Sequence, residues 1–267
     1  EKLVTEAGAE VHSQLLNVAE REAVLTYADT VAAQLPEIPT QNLLGEPEGR
    51  DSMNAVAWPA AIIAARDPEA TMAVLTADHI MDPVDVFRER LDEGFRAAEA
   101  DDETFVTFGV VPTSPQTGFG YLHRGEPMAG FEHTCEVRAF KEKPDQSTAE
   151  RYLATGEYWW NSGMFVWRAQ TFLGAMAQVQ PRAHAQVLEL ASHPERVNQI
   201  YPALPRISVD YAIMEPVSSE AVPGRVVAVE LPIRWHDVGS FLALAGQIAH
   251  QRGHHVVKGD DAHHQRS

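Results

Sequence analysis

Two aspartates follow apolar runs that lie far apart in the chain. Asp78 comes just after the run TMAVL at residues 71–75, and Asp237 lies in WHDVG, shortly after VVAVEL. In substrate-phosphate sites, Mg²⁺ takes one or two carboxylates and fills its remaining positions with water and phosphate oxygens. The pair therefore predicts a magnesium site at strand ends. The alternative for either aspartate alone is a turn or helix-cap residue, a place that suits Asp well.

A polar interruption occurs in the segment WWNSGMF at residues 159–165. A strand that serves only packing repeats β-branched residues, whereas this one contains Asn161, Ser162 and Gly163. Glycine permits close approach of the backbone to a ligand, and the Asn amide offers an acceptor and two donors. The segment predicts contact with a polyhydroxylated ligand such as a sugar. The start of a strand with a turn is the alternative.

Charged residues in two further segments suit phosphate and sugar groups. In EPEGRDS, Arg50 stands just before a predicted helix start, and both the guanidinium and free helix N–H groups favour an anion. In FKEKPD, Glu142 offers a carboxylate to sugar hydroxyls and Lys143 an ammonium to phosphate. The alternatives are a capped helix with a surface arginine and a solvated charge run.

The segment TGFGYL predicts a flexible aromatic turn that contains Gly120 and Tyr121. It is too short and wrongly placed for a dinucleotide fingerprint, which needs a strand before it and a helix after it. No Ser-His-Asp or Cys-His order indicates a protein nucleophile, and Cys135 has no activating neighbours. The candidate chemistry is therefore binding and positioning of a phosphate-bearing molecule.

Composition narrows the class of ligand. The chain has 267 residues, of which 45% are hydrophobic, and this suits one sizeable α/β core. A formal net charge of −17 repels nucleic acid and anionic membranes, so neither is an expected partner. A small phosphorylated molecule remains accessible, because a few placed basic side chains and a metal ion can recruit it.

The cellular compartment is inferred from two features. Cys135 is the single cysteine, which rules out an intrachain disulfide and fits a reducing compartment. The sequence also contains no apolar run of about 18 residues and no signal-peptide pattern. A cytoplasmic location is the expectation.

Short apolar runs alternate with helical patterns along the chain. Asp82 and Pro83 predict a helix start, and Ser147 with Glu150 predicts a capping box. This alternation predicts an α/β fold with a doubly wound, mostly parallel sheet flanked by helices, in which ligands bind at the carboxyl ends of strands. Strands are expected at residues 22–26, 42–45, 71–75, 104–111, 137–140, 163–167 and 226–231. Helices are expected at residues 11–22, 27–35, 52–65, 147–154 and 171–179. Further helices are expected to start at residue 82 and at residue 239, and a polar helical region follows residue 179 and ends at about residue 201.

Eight segments in this order resemble the nucleotidyltransferase domain of the mannose-1-phosphate guanylyltransferases, also called GDP-mannose pyrophosphorylases. They extend over residues 22–244 and are QLPEIP, EPEGRDS, TADH, FGVVPTSPQTGFGYL, FKEKPD, YWWNSGMFVW, ISVDYAIME and WHDVGSF. The resemblance implies a Rossmann-like nucleotide-diphospho-sugar transferase fold. We expect a nucleotidyltransferase domain over residues 1–250, incomplete at its N-terminus, and a flexible tail over 251–267.

The resemblance also implies a reaction and a set of site residues. Mannose 1-phosphate would attack the α-phosphorus of GTP, with Mg²⁺, and yield GDP-mannose and pyrophosphate. Asp78 and Asp237 would hold the metal, and Lys143 would lie near phosphate as a third catalytic residue. The nucleotide side would comprise Glu46, Arg50, Asp51 and Ser52, and the mannose side Gly120, Tyr121, Glu142, Asn161 and Asp210. Whether the protein forms a homodimer is left open.

The family's glycine-rich opening, GGxGTRLWP followed by a lysine, has no match in residues 1–21. We expect the sequence to be truncated or joined there, because the later segments keep the family's residues. Two alternatives stay open: a nucleotidyltransferase for another sugar 1-phosphate, and a non-catalytic subunit that binds a sugar nucleotide.

Overall fold

The computed structural model describes residue 36 and residues 38–238. The elements expected at residues 11–22, 22–26 and 27–35, the helix from residue 239 and the tail at 251–267 lie outside this part. Within it, no helix is long and apolar enough to cross a membrane.

Among the described residues, six strands form the main sheet, in the spatial order β1-β6-β3-β7-β5-β4, and β4 also pairs with β6. They are β1 (Thr71–Val74), β3 (Thr104–Val110), β4 (Tyr121–Pro127), β5 (Thr134–Lys141), β6 (Tyr158–Arg168) and β7 (Arg225–Leu231). Two short strands, β2 (His79–Asp82) and β8 (Arg234–Asp237), form a separate ladder. The predicted strands from residue 71 onward are confirmed, with ends shifted by one to several residues.

Strand directions refine the expected topology. Strands β1, β3, β4 and β7 run in one direction and β5 and β6 in the other, as their pairings require. Because the opposed strands are interleaved, β3 and β7 form the only adjacent parallel pair among the described strands. The α/β class is confirmed, and four of the six strands share a direction.

Helices cover both faces of the sheet. They are α1 (Ser52–Arg66), α2 (Val84–Glu99), α3 (Gln146–Thr155), α4 (Ala169–Val179), α5 (Pro181–Ser192), α6 (Val197–Ile200) and α7 (Glu215–Ser218), with a π-helix at Asp210–Met214 and 3₁₀ turns at Thr40–Asn42, Pro194–Arg196 and Tyr201–Ala203. Alternate β7 residues face opposite cores: Val226 and Ala228 join the core that contains α1, α4 and α5, whereas Val227 and Val229 join the core under α2. A period of two is what a strand buried on both faces requires.

Three local expectations were wrong. Residues 42–45 form no ladder with the described strands, and the Leu44 side chain packs against the first core. Asp82 lies in β2 and does not cap α2, whose N-cap is Pro83. The capping box expected from Ser147 and Glu150 does not start α3. The N-cap is Asp145, whose carboxylate accepts a hydrogen bond from Thr148 N at 2.7 Å.

Candidate active site

The ladder of β2 and β8 brings together the two aspartates that the sequence separates. His79 is paired with Asp237 across the ladder, and Val238 N donates a 2.9 Å hydrogen bond to the carbonyl oxygen of Asp78. Both aspartates are exposed. The backbones of the two aspartates are therefore adjacent, and the charges of both carboxylates act on His79. This arrangement suits Mg²⁺, which needs only one or two protein carboxylates besides phosphate and water.

His79 follows Asp78 in the sequence and is paired with Asp237, and two side chains hold its imidazole ring. Its Nδ1 accepts a 3.1 Å hydrogen bond from Trp235 Nε1 and lies 2.5 Å from Thr76 Oγ1. An accepting Nδ1 places the ring proton on Nε2 and keeps the imidazole neutral. Burial lowers the pKa of His79 although the charges of Asp78 and Asp237 raise it. His79 therefore supports the carboxylate pair as a neutral packing and hydrogen-bonding residue.

A bulge in β6 shapes the second part of the site. Thr107 pairs with Phe165 and Gly109 with Asn161, so two steps along β3 correspond to four along β6. Gly163, within this stretch, has a left-handed φ of 70°. The extra residues turn the backbone so that Asn161 Oδ1 accepts from Thr107 Oγ1 at 2.9 Å and from Gly163 N at 3.3 Å. The polar interruption noted in the sequence is this bulge.

Asn161 connects two other predicted sugar-side positions. Its backbone N–H donates to Gly120 O at 2.8 Å, and its Nδ2 donates to Asp210 Oδ1 at 3.0 Å. The neighbouring Tyr121 is fully buried and its hydroxyl donates to Gln116 O at 2.8 Å, so it stabilises the turn from inside. The Asn161 side-chain carbonyl is occupied by protein donors, which leaves one N–H of its amide for a ligand.

Charges concentrate around this cluster. The Glu142 carboxylate lies 3.1 Å from Lys143 Nζ, and its side chain is 9% exposed against 60% for the lysine. Glu142 raises the pKa of Lys143, so the ammonium is retained. Burial, and then the charge of Glu142, raise the pKa of Asp210 to about 6. Two carboxylates and a solvent-facing ammonium therefore share one small region.

The predicted nucleotide-side residues surround the start of α1. Asp51 caps this helix with a left-handed φ of 65°, and its carboxylate accepts from Ser52 N at 2.8 Å. The half-buried Glu46 accepts a hydrogen bond from Tyr201 OH, and burial raises the pKa of this carboxyl. Arg50 contacts the Glu48 carboxylate and the carbonyl of Pro202. The observed partners of these side chains are protein groups.

An aromatic trio connects the sugar-side cluster to the carboxylate pair. Phe119 packs edge-on against Trp160, with centroids 5.3 Å apart, and against Trp235, with centroids 5.0 Å apart. These three residues directly precede Gly120, Asn161 and His236, respectively. The predicted sugar-side residues and the two aspartates predicted to bind the metal therefore lie in one contiguous region.

Two residues of this region were missed by sequence reasoning. Asn54 is fully buried in α1, and its amide donates to Pro205 O at 2.6 Å and Arg50 O at 3.1 Å. Thr107 is also fully buried and holds Asn161. A polar residue inside an apolar run, as in SMNAVAW and TFVTFGV, is the signal that could have indicated both.

The chain belongs to the nucleotidyl transferase family, whose model matches residues 9–251. Mannose-1-phosphate guanylyltransferase of Klebsiella pneumoniae is 36% identical over 266 residues, which cover 95% of this chain and 53% of that protein. The Escherichia coli K12 enzyme of the same name is 37% identical over 88% of this chain and 50% of its own length. The chain spans about half the length of these relatives. The resemblance inferred from the motifs is confirmed.

Solved structures agree with the fold. A crystal structure from Thermus thermophilus, described as a mannose-1-phosphate geranyltransferase, superposes with a TM-score of 0.68 at 32% identity, covering 81% of this chain and 60% of that one. A Helicobacter pylori structure described as a mannose-6-phosphate isomerase gives a TM-score of 0.59 at 22% identity, which bears on the fold alone.

Proposed function

We propose that this chain contains a guanylyltransferase site that transfers GMP from GTP to mannose 1-phosphate. A phosphate oxygen of mannose 1-phosphate forms a bond to the α-phosphorus of GTP. The bond between that phosphorus and the oxygen that bridges it to the β-phosphorus breaks, and this oxygen leaves with pyrophosphate. The products are GDP-mannose and pyrophosphate. The observation that supports this most is the aromatic trio, because it joins a sugar-type cluster to a metal-type carboxylate pair.

Asp78 and Asp237 would hold the divalent metal. When bound, Mg²⁺ neutralises charge on the transferring phosphate groups. Lys143 adds a flexible ammonium for a phosphate oxygen, and its partner Glu142 keeps that charge in place. Such transfer depends on positioning and charge neutralisation and requires no protein nucleophile, which fits the groups found here.

The two substrates would occupy neighbouring parts of this region. Glu142, Asn161 and Asp210 offer acceptors and one N–H to mannose hydroxyls, and Gly120 keeps the space next to Glu142 open. The surroundings of the α1 start, with Glu46, Arg50 and Asp51, supply the nucleotide side. Tyr121 is buried and stabilises the turn that contains Gly120 through its hydrogen bond to Gln116 O.

Product analysis tests this function. Purified full-length protein is incubated with GTP, mannose 1-phosphate and MgCl₂, and pyrophosphate release is followed while ³¹P NMR identifies the product. GDP-mannose is the expected product, formed faster than the products from glucose 1-phosphate or from other nucleoside triphosphates. Binding of GDP-mannose without pyrophosphate release from any nucleotide would contradict the catalytic function and favour a sugar-nucleotide-binding subunit.

A further inference from the structure

The first residues of α1 are tied to a distant segment at residues 205–209. Ser52 Oγ accepts a 3.0 Å hydrogen bond from Val209 N, and Met53 N donates to Ile207 O at 3.3 Å. Asn54 Nδ2 donates to Pro205 O at 2.6 Å. Three successive helix residues therefore hold a segment from a much later part of the chain.

The same segment leads directly into the sugar-side cluster. Asp210, bonded to Val209, begins the π-helix Asp210–Met214, and its Oδ1 accepts the 3.0 Å hydrogen bond from Asn161 Nδ2. A π-helix is rare, and such elements are frequent at functional sites. The amide that Ser52 holds and the carboxylate that Asn161 holds therefore belong to consecutive residues.

We propose that Ser52 is a positioning residue for the sugar phosphate, acting through Val209 and Asp210, rather than a contact of the nucleotide. Val209 is only 2% exposed, so water is a poor substitute for the lost acceptor when the hydroxyl is removed. The segment then shifts or loosens, and Asp210 with it. Asp210 lies in the mannose-side cluster, so the effect falls on the sugar substrate.

This inference rests on the proposed function for the identity of the substrates, but its structural part does not. The Ser52–Val209 and Asp210–Asn161 hydrogen bonds exist whatever reaction the site performs. A test therefore needs one readout from turnover and one that does not depend on turnover.

The kinetic test compares Ser52→Ala with Ser52→Thr in the full-length protein. Ser52→Ala is expected to raise the KM for mannose 1-phosphate about tenfold, equivalent to about 1.4 kcal/mol, and to leave the KM for GTP within about twofold. Ser52→Thr keeps a hydroxyl and restores the wild-type KM. Ser192→Ala is the matched control, because that hydroxyl bonds only to Leu188 O within its own helix, at 3.2 Å, among the described contacts.

The second readout is the NMR signal of the Asn161 side-chain amide. Ser52→Ala is expected to shift this signal and speed its hydrogen exchange, whereas Ser192→Ala leaves it unchanged. An unchanged Asn161 signal overturns the proposal even if the protein has no transferase activity. A higher KM for GTP alone, an equal rise in both KM values, or a lower Tm with both KM values unchanged also overturns it. Absence of turnover in the wild type contradicts only the proposed function.

Discussion

Gly120 lies so close to Glu142 that a Cβ atom on the glycine would sit 2.6 Å from the Glu142 carboxylate oxygen Oε2. The same atom would be 3.4 Å from Asn161 Cβ. The sequence TGFGYL suggests turn flexibility as the reason for this glycine. The structure gives a more specific reason, because any side chain at position 120 would displace the Glu142 carboxylate.

Gly120→Ala should therefore impair the sugar side while the fold survives. The displaced atom is the end of a flexible side chain, so the protein can relax by moving Glu142. We expect the KM for mannose 1-phosphate to rise about tenfold or more and the KM for GTP to change little, because about 1.4 kcal/mol of lost binding has that effect. Steady-state kinetics with each substrate varied measures both.

Gly118→Ala is the control for that substitution, since a Cβ at Gly118 meets no atom within 4 Å. Wild-type kinetics are expected for it. Equal effects of the two substitutions would indicate that turn flexibility, and not the Glu142 position, explains both glycines.

Asp78→Asn and Asp237→Asn should each lower turnover about a hundredfold or more without unfolding the protein. Charge stabilisation by a held metal is worth several kcal/mol in the transition state, and both residues are exposed, so the core is unaffected. Pyrophosphate release measures turnover, and Mn²⁺ binding followed by EPR measures metal affinity directly.

The matched control is Asp82→Asn, at the far end of the same ladder, where the carboxylate pairs with Arg234 instead. It should retain metal binding. If Asp82→Asn loses metal binding as fully as the other two variants, general surface charge rather than the Asp78–Asp237 pair attracts the cation.

The fold could be predicted where a strand is buried on both faces. The runs TFVTFGV and VVAVEL are apolar enough to identify β3 and β7. The ladder of β2 and β8 could not, because HIMD and RWHD are short, half-exposed and without alternation. Its formation depends on pairing between segments from distant parts of the chain, which no local pattern encodes.

The sequence predicts which residues of the candidate site come together, but not the hydrogen-bond network that supports them. Asn161, Glu142, Lys143 and Asp210 meet as expected, and so do the backbones of Asp78 and Asp237. The supporting contacts of Thr107 and Asn54 were not predicted, because a buried side-chain hydrogen bond leaves no periodic signal in sequence. The individual roles of the site residues, the cytoplasmic location and a homodimer remain predictions.

Gly163→Ala should destabilise the protein through the backbone alone. A Cβ at this position meets no atom within 4 Å, but the φ of 70° is left-handed. Such a conformation costs a non-glycine residue about 1–2 kcal/mol. The free energy of unfolding in urea should fall by that amount, and the β6 bulge with Asn161 should become less ordered.

Gly174→Ala provides a control of opposite sign. Gly174 is exposed within α4, and a Cβ atom at this position would have no atom within 4 Å. Alanine also has a higher helix propensity than glycine. The substitution should stabilise the protein by about 0.5–1 kcal/mol. A stabilising effect of Gly163→Ala would mean that the bulge does not need its left-handed residue.

Asp210→Asn should stabilise the protein at high pH while weakening sugar binding. Burial and Glu142 raise the pKa of Asp210 from its usual 3.8 to about 6, so the folded state binds this proton more tightly than the unfolded state. The contribution to stability is present below about pH 4 and is lost as the pH rises through 6. A neutral amide avoids that loss, and its oxygen can still accept from Asn161. At pH 8 the variant should therefore be more stable by about 1–3 kcal/mol, allowing for partial solvent screening of the carboxylate.

The pH dependence distinguishes this cause from a general packing change. Urea denaturation of the wild type and Asp210→Asn should give unfolding free energies that converge as the pH falls from about 8 to about 4. Asp145→Asn should show the opposite sign, because hydrogen bonds from the α3 start lower the pKa of that carboxyl and stabilise the folded state above about pH 4. A constant difference between wild type and Asp210→Asn across this range would show that Asp210 does not titrate as inferred. A higher KM for mannose 1-phosphate in the more stable variant would show that the ionised carboxylate is kept for binding at a cost in stability, as in other functional sites.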